Sequence, residues 1–178
     1  MPKDYNILLA GFGGQGILFL GKVIAYSGML EGKMVSWFPS YGPEMRGGTA
    51  NCSVCVSDKP IGSPIVLEPN VFMAMNLPSF DRFINDVEKG AIVIVDSSLI
   101  NKKIERSDVK AFYIPATEIA NDNGLTGLAN MVLLGKFIKE TDFCSENVLN
   151  EAFFKCIPKS KSDLFDKNKR AVRIGMSL

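Results

Sequence analysis

The chain has 178 residues, 47% of them apolar, with 22% charged residues and a formal charge of +1. This is enough apolar material for one domain with a real core, spanning 1–178, and hardly enough for two, while the dispersed Lys and Arg leave no electrostatic footprint for nucleic acid or an anionic membrane. Histidine is absent, which excludes Ser-His and Cys-His couples, a histidine general base and any His-bearing zinc site.

The polar start Met1-Pro2-Lys3-Asp4-Tyr5-Asn6 leads into the apolar run Ile7-Leu8-Leu9-Ala10, a strand over 6–10. No apolar run reaches the roughly 18 residues that span a bilayer, so a soluble cytoplasmic protein is expected. Next comes Gly11-Phe12-Gly13-Gly14-Gln15-Gly16, a glycine turn between that strand and a helix over 15–30. Glycines accept positive φ and let backbone N–H groups approach a ligand, and the helix N-terminus adds partial positive charge, so the loop suits a phosphate.

Gly11, Gly13 and Gly16 fit the dinucleotide spacing G-x-G-x-x-G. A nicotinamide or flavin site also wants a carboxylate at the end of the second strand, roughly 20 residues on. That place reads Met34-Val35-Ser36-Trp37-Phe38-Pro39, with Glu31 before it and Glu44 well after it. The stretch Gly16 to Lys22 mimics a P-loop, but Val23 stands where magnesium needs Ser or Thr. Both classical nucleotide readings lose their decisive residue.

Strands follow over 33–38 and 50–56, joined by Pro39-Ser40-Tyr41-Gly42-Pro43-Glu44-Met45-Arg46-Gly47-Gly48-Thr49. This link is too short and too rich in Gly and Pro for a crossover helix, so the two strands are expected to be antiparallel. Its Glu44 and Arg46 read either as an exposed ion pair on a turn or as functional residues at the sheet edge. In the strand Ala50-Asn51-Cys52-Ser53-Val54-Cys55-Val56, residues three apart point to opposite faces, so Cys52 and Cys55 do not share a metal. Together with Cys144 and Cys156 they read as buried thiols in a reducing compartment.

Val71-Phe72-Met73-Ala74-Met75 and Ala91-Ile92-Val93-Ile94-Val95 read as buried strands around a helix beginning near Ser79 and stopped by Gly90. A short strand over 110–114 precedes helical periodicity through 116–119, 128–137 and 148–153. The Lys- and Asp-rich tail reads as a last amphipathic helix with a solvated charged face. Trp37, Phe38, Met45 and Met73 are candidates for core or interface, with Met73 assigned to core and Met45 to interface. The expected architecture is a three-layer α/β/α sandwich with a mostly parallel, mixed sheet and a Gly-rich first βα loop.

Three segments, Gly11-Phe12-Gly13-Gly14-Gln15-Gly16, Leu30-Glu31-Gly32-Lys33 and Ser40-Tyr41-Gly42-Pro43-Glu44-Met45-Arg46-Gly47-Gly48-Thr49, resemble the gamma subunit of 2-oxoacid:ferredoxin oxidoreductases. The resemblance continues through Ser57-Asp58-Lys59-Pro60-Ile61-Gly62-Ser63-Pro64 and more diffusely at Asn123-Gly124 and Asn130-Met131. The wording of 37–48 looks closest to the 2-oxoglutarate type, then to the branched-chain type.

The resemblance implies a heteromeric complex of anaerobic metabolism. Its alpha and beta subunits bind thiamine diphosphate, iron–sulfur clusters on partner subunits, including a ferredoxin-like one, pass electrons to ferredoxin, and coenzyme A accepts the acyl group. The gamma chain holds no redox cofactor, no metal and no catalytic residue, and closes over its partners' active site. Gly11, Gly13, Gly14 and Gly16 would offer backbone amides to the phosphates of coenzyme A, Gln15 a side-chain contact, and Arg46 a charged contact of fork geometry. Alternatively both glycine loops only pack against a neighbouring subunit. The competing classes are a stand-alone dinucleotide-binding oxidoreductase domain and a regulatory or scaffold protein of this fold.

Overall fold

The computed structural model describes residues 4–40 and 49–178. Among them, six strands form one sheet: β1 (Tyr5–Phe12), β2 (Met34–Ser40), β3 (Thr49–Ser57), β4 (Val71–Ala74), β5 (Ile92–Asp96) and β6 (Lys110–Ile114), in the order β2-β3-β1-β4-β5-β6. β1, β4, β5 and β6 run parallel, while β3 is antiparallel to both β1 and β2. The expected reversal in the second link and the mostly parallel, mixed sheet are both present.

Strand periodicity assigns the two faces. Ile7, Leu9, Val71, Met73 and Ile94 point to the face covered by α1 (Ile17–Leu30) and α4 (Ala129–Thr141), with α3 (Ala116–Asp122), α5 (Glu146–Cys156) and α6 (Asp163–Met176) completing that layer. Leu8, Ala10, Phe72, Ala74, Val93 and Val95 point the other way, onto Phe80 of α2 (Leu77–Phe83) and Ile84 of the following 3₁₀ turn. Each fully buried Leu, Ile or Phe contributes about 1.5–3 kcal/mol, and β1, β4 and β5 bury such side chains on both faces.

The second layer is thin. Over β2 and β3 this face carries no helix among the described residues, only the irregular segment 58–70. That segment is tied down where Ser53 Oγ accepts from Val66 N at 3.3 Å and Cys55 Sγ approaches Ser63 O at 3.8 Å.

One helix differs from its expected bounds. α2 starts earlier than Ser79, because Asn76 caps it by accepting from Ser79 N at 2.8 Å and a proline occupies its first turn. It also ends well before Gly90. Arg106 Nη1 donates to the carbonyls of Ile84 (3.3 Å) and Val87 (2.9 Å), satisfying the helix end from outside, and Gly90 instead makes the turn into β5. The tail helix is α6, and its exposed Lys and Arg flank a buried stripe through Ala171 and Val172.

α4 and α6 cross at Gly135 and Gly175. A Cβ on Gly135 would lie 2.9 Å from Gly175 Cα and 2.8 Å from Met176 N, and one on Gly175 would lie 2.8 Å from the Val132 carbonyl carbon. These are backbone atoms, so no rotamer change relieves the clash. Gly135→Ala and Gly175→Ala should each lower unfolding free energy by about 1–3 kcal/mol, with the double variant costing less than the sum because one separation of the helices relieves both. Urea unfolding checks this, with Gly62→Ala, whose added Cβ meets open space, as the near-neutral control.

Candidate functional site

β1 passes the chain through α1 on one face towards β2, whereas β4 passes it through α2 on the other face to β5. The connections therefore diverge between the parallel neighbours β1 and β4, which makes the gap outside their carboxyl ends the topological switch point of the sheet. The glycine loop lies there. Thr49 pairs with Phe12 and β2 ends at Ser40, so segment 41–48 starts and finishes at this same edge. Tyr41, Glu44, Met45 and Arg46 lie outside the described residues.

The loop's glycines are needed for different reasons. Gly11 is the last residue but one of β1, and a Cβ there would lie 2.6 Å from Gln15 Oε1 and 3.1 Å from Met75 Cβ. Gly16 caps α1 at φ 75, and a side chain there would run into the Asn130 amide. Gly14 has φ 96, a left-handed conformation, and among the described residues nothing lies within 4 Å of its Cβ position. Gly13 and Gly14 are exposed.

Gln15 braces the turn. Its Oε1 accepts from Phe12 N at 2.6 Å and its Nε2 donates to Met75 O at 2.8 Å, so one side chain joins the ends of β1 and β4. Asn130 fixes the far side, donating to Gly16 O at 3.1 Å while its own Oδ1 accepts from Met131 N at 2.9 Å. α1 has no side-chain cap and no acidic residue in its first turn. Its first amides and dipole therefore favour an anion at this end.

A hollow of about 200 Å³ opens beside the loop, with Gly14, Gln15 and Met75 on one wall and Leu99, Thr117 and Asn121 among the residues on the other. Its rim is held by Asp96, fully buried at the end of β5. Asp96 Oδ2 accepts from Thr117 Oγ1 at 2.5 Å, and Oδ1 accepts from Thr117 N at 3.3 Å and Ser98 N at 3.2 Å. A carboxylate does stand at a strand end in this sheet, but on β5, and it is occupied in capping α3. Asn76, also buried at the end of β4, keeps its Nδ2 without a partner.

Asp96 was open to discovery as the polar residue that ends the apolar run Ile92–Val95. Asn130 was not, because nothing local marks a residue 114 positions from the carbonyl it holds.

The four thiols are free. Cys52 faces α1 beside Trp37 and Gly21, whereas Cys55 faces Ser63 on the opposite side of the sheet, as the strand period requires. Burial pushes Cys52 up to about 12, with the Trp37 indole acting weakly in the other direction, and pushes Cys144 and Cys156 to about 11. At neutral pH these groups are protonated, hence poor nucleophiles and poor metal ligands. Among the described residues no three His, Cys, Asp or Glu converge on a point, and no helix is long and apolar enough to cross a membrane.

The sequence pattern of the family described as pyruvate ferredoxin/flavodoxin oxidoreductase matches residues 6–178. The chain is 34% identical over 161 residues to the 2-oxoglutarate synthase subunit KorC of Methanocaldococcus jannaschii, covering 89% of this chain and 86% of that one. It is 41% identical over 133 residues to the ketoisovalerate oxidoreductase subunit VorA of Methanothermobacter marburgensis, covering 75% of this chain but only 28% of the relative. The chain thus spans little more than a quarter of that longer relative. Among solved structures, a 2-oxoglutarate:ferredoxin oxidoreductase from Magnetococcus marinus, with 2-oxoglutarate, coenzyme A and succinyl-CoA bound, superposes with a TM-score of 0.84 at 26% identity, over 98% of this chain and 31% of that one.

Two outcomes follow from the geometry. Gln15→Leu strands Phe12 N and Met75 O, and for this half-buried brace a loss of about 1–2 kcal/mol in urea unfolding is expected. The thiols ionise near 9 when unfolded but near 11–12 when folded, so the folded state holds more protons between those values. Their contribution is intact below pH 9 and is lost as pH rises towards 12. Thermal melts at stepped alkaline pH should show that decline, and Cys52→Ala should flatten it.

Proposed function

The chain belongs to the pyruvate ferredoxin/flavodoxin oxidoreductase family, and on that premise we propose that it serves as the gamma-type subunit of a cytoplasmic 2-oxoacid:ferredoxin oxidoreductase. In this reading the complex converts a 2-oxoacid and coenzyme A to acyl-CoA and carbon dioxide while two ferredoxins are reduced. Thiamine diphosphate and the iron–sulfur clusters belong to the alpha, beta and ferredoxin-like partners. The gamma chain is inactive alone and contributes part of the chamber wall, with its whole length acting as one domain.

The observation that carries this reading is the glycine loop bent open at the switch point, with the uncapped start of α1 beneath it. Coenzyme A is rich in phosphate, and exposed Gly13 and Gly14, with half-buried Gly16 at the start of α1, suit such a group. Arg46, which lies outside the described residues, is the proposed charged partner for such a group. Gln15 contributes by holding the loop, since both of its polar ends are engaged within the chain. The hollow of about 200 Å³ falls below the roughly 300–1,000 Å³ of a self-sufficient small-molecule pocket. It therefore suits one end of the ligand, with partner chains enclosing the rest.

2-Oxoglutarate is the proposed substrate, supported by a relative of matching length that carries that name. The second reading is ketoisovalerate, favoured by the higher identity of 41% to a longer chain.

Ferredoxin reduction by the purified complex should be fastest with 2-oxoglutarate among 2-oxoglutarate, ketoisovalerate and pyruvate, and the isolated chain should be colourless and inactive. Gly14→Val meets no neighbour within 4 Å but opposes a left-handed φ, so it tests the loop's shape without a packing clash. Calorimetry on the assembled complex should show coenzyme A binding weakened about tenfold or more by Gly14→Val and by Arg46→Ala. Unchanged affinity in both would assign the loops to subunit packing.

A further inference from the structure

Among the described residues, the β2–β3 half of the sheet has no helix on the face that α2 covers elsewhere. Crossover helices cover the faces of a parallel sheet, but β2 and β3 are joined without one among the described residues, so only segment 58–70 lies over them. That cover is incomplete. Met34 (54%) and Phe38 (43%) are exposed on β2, and Ile65 (52%) and Leu67 (77%) are exposed on the segment itself. Phe38 is registered with Ser53, and Ser53 Oγ accepts from Val66 N, so strand and segment present these side chains on one side of the molecule.

Beside them is a hollow of about 480 Å³ whose floor includes Asn6 and Cys55. Asp4, Glu68 and Glu88 line it, and no Lys or Arg does so among the described residues. None of these three carboxylates is in an ion pair among the described residues. Exposed apolar side chains grouped beside an acidic rim suit an interaction surface.

We infer that this face docks the sister polypeptide corresponding to the remaining length of the longer relatives, through an apolar segment flanked by Lys or Arg. This rests on the subunit reading above. The ketoisovalerate relative and the Magnetococcus structure each carry this unit as only 28% and 31% of a longer chain, so a permanent neighbour is built into those proteins. A second layer supplied from that neighbour completes the sheet. The acidic rim selects the complementary charge and fixes orientation.

The test co-produces the chain with its sister polypeptides and follows assembly by size-exclusion chromatography and calorimetry. Ile65→Asp/Leu67→Asp should leave the chain's own melting curve unchanged, since both side chains are exposed, yet weaken association at least tenfold. Glu68→Lys/Glu88→Lys should weaken it and flatten its dependence on salt. Phe154→Ser, at a position 70% exposed on α5 over the opposite face, should assemble normally. Normal assembly of the Ile65/Leu67 variant overturns this inference alone, whereas failure of the unchanged chain to assemble overturns the subunit reading and this inference with it. Self-association of the chain that the same variant abolishes would assign the face to a second copy and overturn the stated occupant.

Discussion

The antiparallel pairing of β3 between β1 and β2 is the constraint on which the remaining features depend. Had β2 and β3 been joined by a right-handed crossover, a helix would have covered their second face and the link would have left the carboxyl edge. With β3 reversed, the link instead begins at Ser40 and returns at Thr49, beside Phe12 and the glycine loop. One reversal therefore brings Ser40 and Thr49, between which the second glycine-rich link runs, to the edge that bears the first loop, and leaves one sheet face without helical cover over β2 and β3 among the described residues. The proposed ligand site and the proposed docking face are two consequences of the same topology.

Much of this was legible in the sequence because the signals were local. The apolar runs at 7–10, 71–75 and 91–95 are short and bounded by turn or polar residues, the last of them β-branched through 92–95, and Gly and Pro in 39–49 excluded a crossover helix. The alternation that separated Cys52 from Cys55 needed only the strand period. The start of α2 was set locally by the Asn76 cap, but its misplaced end has a tertiary cause, since Arg106 reaches back to the carbonyls of Ile84 and Val87. The candidate site divides in the same way. The glycines announce a bend, but the brace from Gln15 to Met75 and the bond from Asn130 to Gly16 join residues 60 and 114 apart. No window of sequence contains them.

Those long-range bonds bear on how the crevice works. A glycine-rich loop left to itself samples many conformations, and ordering it on binding costs about 1–2 kcal/mol per residue. Gln15 and Asn130 hold the turn at both ends before any ligand arrives, so binding energy is not consumed in shaping it. The bend at the exposed Gly13 and Gly14 is then a preformed feature. Asp96 serves the opposite wall in the same manner by fixing Thr117 and Ser98.

Whether the unit is a separate chain or part of a longer one changes what its interface must supply. Tethering keeps a neighbour at an effective concentration in the millimolar range, so weak contacts suffice in a longer relative. A separate chain binding at micromolar Kd needs about 8 kcal/mol net, after an association cost of at least about 4 kcal/mol. Met34, Phe38, Ile65 and Leu67 are roughly half exposed on average, and burying the remainder of each at about 1 kcal/mol gives about 4 kcal/mol. That offsets only the lower bound of the association cost. The rest must come from surface continuous with this face, and Phe38 and Ser40 run along β2 to the carboxyl edge that bears the glycine loop. If the proposed docking face extends to that edge, a partner seated on it would lie beside the proposed ligand site, and the binding of one would then be coupled to the binding of the other.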